Sequence, residues 1–98
     1  MNDQELEFLS VLAYIHLRHG RSGPAVPLLE ALRCMQPENT HHAYSLAYAY
    51  LLEHEYEKCL RLTEILMKTP LNGIARSLDL IRRRAQLGLG RRNTSGSV

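Results

Sequence analysis

Residues 40–70 read THHAYSLAYAYLLEHEYEKCLRLTEILMKTP, and their punctuation decides the fold. Two largely apolar runs, 40–53 and 56–68, flank a polar hinge at His54-Glu55, and Pro70 closes the unit. Runs of that length without internal Gly or Pro exceed ordinary strands and predict a helix hairpin. The same grammar recurs outward. Gly20-Arg21-Ser22-Gly23-Pro24 and Pro37-Glu38-Asn39-Thr40 punctuate the N-terminal side, and Pro70-Leu71-Asn72-Gly73 the C-terminal side. Five helices are expected, over about 3–19, 24–36, 40–53, 56–68 and 73–88. Their starts carry capping chemistry: Asn2 with Glu5, Pro24 in a first turn, Asn39 or Thr40, and Asn72. Pro27 falls where an early helical N–H would donate, so a late start or a bend is expected in the second helix.

The hairpins repeat. Pro37 and Pro70 stand 33 residues apart, close to the period of about 34 residues of tetratricopeptide repeats. A unit begun at Leu6 puts Leu12 and Ala13 at the paired large and small sites, Gly20 at the turn, Ala25 at the small site of the second helix and Pro37 at the end. A unit begun at Thr40 puts Leu46, Ala47, Tyr50, Tyr56 and Cys59 at the matching places, with His54 where a turn glycine is usual. In these residues the chain resembles the tetratricopeptide family. The fold class expected is all-α, with antiparallel tetratricopeptide-like hairpins in about two and a half repeats. The fifth helix, with Ile74, Leu78, Ile81 and Ala85 at helical spacing, reads as a half repeat that caps the stack. Residues 1–90 then form one helical domain, and 91–98, almost devoid of apolar side chains, a disordered basic and polar tail.

With 98 residues the chain holds a single core. No apolar run approaches the roughly 20 residues that cross a bilayer, and the N-terminus is acidic where a secretory signal would be basic. A cytoplasmic protein without direct membrane insertion is expected. Cys34 and Cys59 have no second Cys or His at metal spacing and read as reduced, buried packing residues. His16 with His19, and His41-His42, lack the third and fourth ligands that a metal site needs. No nucleophile and base pair or phosphate-binding glycine loop is present, and Gly88-Leu89-Gly90 follows a helix where a phosphate loop would precede one. Neither catalysis nor a cofactor is expected. The net charge of +2 divides unevenly, with −3 over residues 1–69 and +5 over 70–98. Arg82-Arg83-Arg84 fan through about 200° of helix, so they form no single stripe for phosphates. A solvated face or an acidic protein surface suits them better than nucleic acid.

The third helix, with Ala43-Tyr44-Ser45-Leu46-Ala47-Tyr48-Ala49-Tyr50-Leu51-Leu52, is apolar on nearly every side and calls for cover all round. So short a repeat array offers too few neighbours. In register, Leu46, Ala47 and Tyr50 enter the stack and Tyr44, Tyr48 and Leu51 line the opposite, concave face. Leu6, Leu9, Leu12, Ala13 and Ile15 of the first helix serve the stack, while Tyr14 and Leu17 turn to the concave side beside Ser10. Ser10, Tyr14, Leu17, His41, Tyr44, Tyr48 and Leu51 are therefore the candidate partner-binding residues. Tyrosine suits such a groove because it covers apolar area and keeps its hydroxyl wet, and an amphipathic helix or extended segment is the fitting ligand.

A narrower resemblance rests on Glu7-Phe8-Leu9, Leu28-Leu29-Glu30-Ala31-Leu32, Gln36-Pro37-Glu38, Pro70-Leu71-Asn72-Gly73 and Arg84-Ala85-Gln86-Leu87. In that order they look like the small tetratricopeptide chaperones of bacterial type III secretion, of the YscY type, over residues 5–88. The resemblance implies a cytoplasmic chaperone in a hetero-oligomer with a small secreted export protein, YscX-like, the pair acting at the export gate protein. Needle-subunit chaperones of the same systems are also short helical-repeat proteins, and a homodimeric adaptor is a further alternative. After Gly90 the chain departs from the pattern.

Overall fold

The computed structural model describes residues 2–69, 73 and 75–96, with side chains as far as Arg92. These residues form α1 (Asp3–Arg18), α2 (Ser22–Met35), α3 (Thr40–Leu52), α4 (Tyr56–Met67) and α5 (Ala75–Gly96). Each helix packs on the next in chain order, and α3 also touches α1 and α5. The odd-numbered helices thus line one side of the stack. Among the described residues the fold is all-α and built of helix hairpins, as the sequence predicts. The expected cap at Asn72, the turn residues Pro70 and Leu71, and Ile74 lie outside the described residues.

The hairpin turns show how strictly the chain repeats. At the end of α1 the Arg21 N–H donates to the His16 carbonyl (2.8 Å) and the Gly20 N–H to Leu17 (3.1 Å). At the end of α3 the Glu55 N–H donates to Tyr50 (2.9 Å) and the His54 N–H to Leu51 (3.1 Å). Every donor and acceptor of the second pair follows its counterpart by the same offset of 34 residues. Both turns bond the sixth residue back to the first and the fifth to the second, which requires a left-handed residue after the helix end. Gly20 has φ 71° and His54 φ 60°. A glycine enters that region freely, whereas a side chain there costs about 1 kcal/mol or more. The His54 ring stacks obliquely on Tyr56, 5.7 Å between centroids.

Side chains bind the hairpins to one another. The Ser22 hydroxyl donates to the Glu53 carboxylate (2.8 Å), which sets an anion at the start of α2, where exposed N–H groups favour one. Ser22 already opens α2, two residues before the expected start; Pro24 and Pro27 lie within its first two turns and do not delay it. Asn2 accepts from the Glu5 N–H (2.8 Å) and Asn39 from the His41 N–H (3.0 Å), capping α1 and α3. The Tyr50 hydroxyl donates to Glu30 (2.6 Å), joining α3 to α2. Burial and that carboxylate both push the phenol's titration upward.

The core carries the same period. Ala13 and Ala47, Ala25 and Cys59, Leu29 and Thr63, Leu32 and Leu66 are buried pairs separated by the offset of the two turns. Cys59 is sealed, and burial pushes its thiol up to about 11. Cys34, read from sequence as buried, is exposed on α2. The largest departure lies in α5. The glycines at 88 and 90 predict a stop followed by a disordered tail, yet the helix runs through both to Gly96. Gly88 is required by packing: a β-carbon there would overlap the Tyr56 ring. Nothing lies within 4 Å of the corresponding point at Gly90.

Two outcomes follow for urea denaturation. His54→Gly should raise stability by up to about 1 kcal/mol, the relief of the left-handed backbone less the lost ring contact with Tyr56, and Gly20→Ala should lower it by about 1 kcal/mol. Gly90→Ala should stabilise α5 by up to about 1 kcal/mol, the helix-propensity difference. Gly88→Ala, with the same propensity gain, should instead destabilise by displacing Tyr56.

Candidate partner-binding site

Between α1 and α3 lies a cleft of about 470 Å³. From α1 it is lined by Ser10, Tyr14 and Leu17, and from α3 by His41, so four of the residues expected from sequence come together. Helical spacing explains the α1 side, since positions 10, 14 and 17 fall on one face. Tyr14 is 58% exposed, and the Arg18 guanidinium sits 5.9 Å from its ring centroid. Val11, Leu29, Asn39, His42 and Ser45, absent from the candidate set, complete the wall and floor. Of these, Val11 is legible from its three-residue offset to Tyr14. The others depend on how α2 and α3 pack.

His42 is a buried polar side chain on the wall. Its Nε2–H donates to the Gln36 side-chain oxygen at 2.7 Å. Desolvation by burial lowers its pKa and nearby His41 lowers it further, against a smaller opposing pull from Glu38. The neutral ring therefore belongs to the folded state.

Tyr44, Tyr48 and Leu51 do not line this cleft. Tyr44 is half-buried against the core, and Leu51 is only 9% exposed, because α5 crosses the C-terminal end of α3. Of the three, Tyr48 alone is free to meet a partner, at 39% exposure. It lies three residues after Ser45 and four before Leu52, on the helix surface that faces neither α2 nor α4. The third helix, expected to want outside cover, is thus covered almost wholly by its own chain, with Ala43, Leu46, Ala47, Ala49, Tyr50 and Leu51 all buried.

The apolar excess lies on α1 instead. Phe8 is 65% exposed and Ile15, assigned by sequence to the stack, is 44% exposed, with Val11 between them. These three residues form an outer stripe at three- and four-residue spacing. Among the described residues only α2 covers α1 at length, while α3 touches it lightly.

No family model, no curated protein and no solved structure matches this chain. Among the described residues no helix is long and apolar enough to cross a membrane, and no three His, Cys, Asp or Glu side chains are grouped to hold a metal ion.

The His42 shift gives a signed pH dependence. A histidine whose folded pKa is depressed contributes stability that is complete above the ordinary histidine pKa and is lost as pH falls through the folded value. The urea midpoint should therefore fall between about pH 7.5 and 5.5. His42→Gln should flatten that fall, which is read as the difference between the two pH values within each variant.

Proposed function

We propose that this chain is a tetratricopeptide-type binding protein, a chaperone of type III secretion that holds a hydrophobic segment of a small secreted, YscX-like export protein. The segment lies in the cleft between α1 and α3 and extends over Tyr48. The observation that carries the reading is the pair Tyr14 and Tyr48, two exposed aromatics, the first on the wall of a preformed cleft and the second three residues beyond Ser45 of the same cleft. Aromatic side chains in that setting supply most of the energy of a protein interface. The regular recurrence of turns and core supports the tetratricopeptide part of the reading. Delivery of the client to the export gate protein belongs to the same proposal.

A second reading, a homodimeric adaptor, draws on the outer side of α1. The outer stripe Phe8, Val11 and Ile15 is self-complementary in an antiparallel pairing of two α1 helices. Acidic Asp3 and Glu5 would then lie near basic Arg18 and His19 of the partner copy.

Co-expression with the YscX-like protein should yield a stable complex. Tyr48→Glu should weaken it by about 2 kcal/mol, roughly thirtyfold, with unchanged helical circular dichroism. Undiminished complex formation by that variant would discard the groove. Light scattering of the chain alone separates the readings, since a dimer abolished by Phe8→Lys but untouched by Tyr48→Glu favours self-association.

A further inference from the structure

A second cleft, of about 360 Å³, opens between the C-terminal end of α3 and the middle of α5. Its apolar lining is Leu51, Leu52, Tyr56 and Leu87, and Arg84 and Arg91 stand at its edge. The two arginines are seven residues apart, two helical turns or about 10 Å, with Leu87 between them on the same side of the helix.

Three other arginines of this basic segment are already engaged. Asp79 accepts from Arg82 (2.6 Å) and Arg83 (3.0 Å), and Arg92 pairs with Glu57 and lies over the Tyr56 ring. Arg84 and Arg91 form no ion pair among the described residues. The run Arg82-Arg83-Arg84 is therefore not one charged patch. Two of its members share the Asp79 carboxylate, and the third lines the cleft.

From this arrangement we infer that the α3–α5 cleft is a docking site for an acidic amphipathic segment of a partner protein, with a carboxylate at each arginine and an apolar side chain on Leu87 and Leu52. The inference deepens the proposed function, and rests on it, by giving the bound segment a chemistry and a direction: apolar toward α1, acidic toward α5. Charge complementarity selects the occupant. A nucleic-acid strand would place its phosphates over an apolar floor, with two separated cations to meet them, on a chain that is net −3 from position 1 to position 69. An acidic helix places carboxylates two turns apart and apolar side chains between them, which matches both features.

The probe is a rhodamine-labelled helical peptide with Leu and Glu at matching spacing, beside a sister peptide in which Lys replaces every Glu. Titrated into the full chain and read by fluorescence anisotropy, the Glu peptide should bind and the Lys peptide should not. The double variant Arg84→Gln with Arg91→Gln should weaken binding about three- to tenfold, as expected for two exposed ion pairs. Between low and physiological salt its binding should also change less than that of the parent. Equal binding of both peptides, or a double variant indistinguishable from the parent, overturns the inference, and so does displacement of the peptide by single-stranded DNA at equal charge concentration. Tyr14→Glu separates the two readings. If it abolishes capture of the export protein while the Glu peptide still fails to bind, the groove survives and the α5 site does not; the reverse result discards the groove alone.

Discussion

Close approach between helices at four small side chains is the contact on which the stack depends. Ala13, Ala25, Ala47 and Cys59 have no exposure at all, and they stand at matching places of the two hairpins. Bulk at these points would hold the helices apart and uncover the leucines around them, at the cost usual for overpacking a dense interior. The contacts recur at a fixed interval because the turns do, and the turns recur because a left-handed residue ends both α1 and α3. Hairpin geometry, core and chain reversal thus share one period.

Covering helices is the second constraint, and it decides where a partner can bind. In a linear stack the interior helices are flanked on both sides, and the terminal ones lack a neighbour. Here α3 is interior, so its apolar circumference is used up by α2, α4 and α5, with only Tyr48 and Leu52 left in view. The largest share of the uncovered large apolar side chains belongs to α1, where Phe8, Val11, Tyr14 and Ile15 are all exposed. Its core-facing side, its cleft-facing side and its outer stripe are all hydrophobic, more than one neighbouring helix can satisfy.

Much of this architecture is legible in the residues themselves. Proline and glycine give the helix count and most boundaries to within two residues, and the constant repeat offset marks His54 as the counterpart of Gly20. The reading fails where one signal has two physical meanings. Gly88 and Gly90 resemble a helix stop, but the first is there to admit the Tyr56 ring, a contact invisible without the packed hairpin. On α3 the spacing places Tyr44, Tyr48 and Leu51 on one face, yet a helix apolar all round cannot reveal which part of that face its neighbours take. Ser10, Tyr14 and Leu17 come together as expected because four- and three-residue spacing puts them on one face of α1, and His41 joins them from the start of α3. Cys34 looks like a core residue by type and lies at the surface because nothing packs over that side of α2.

Gly88 also governs something larger than its own contact. Successive residues of a helix differ by about 100° in direction, so the azimuth of α5 about its axis fixes where every one of its arginines aims. A ring seated against a bare α-carbon acts as a keyway for that azimuth, since any other residue presented to Tyr56 would carry a side chain into it. Arg84 and Arg91 owe their aim into the cleft to a position one turn from each that contributes no side chain of its own. A variant could retain every positive charge of this segment and still point them all at water.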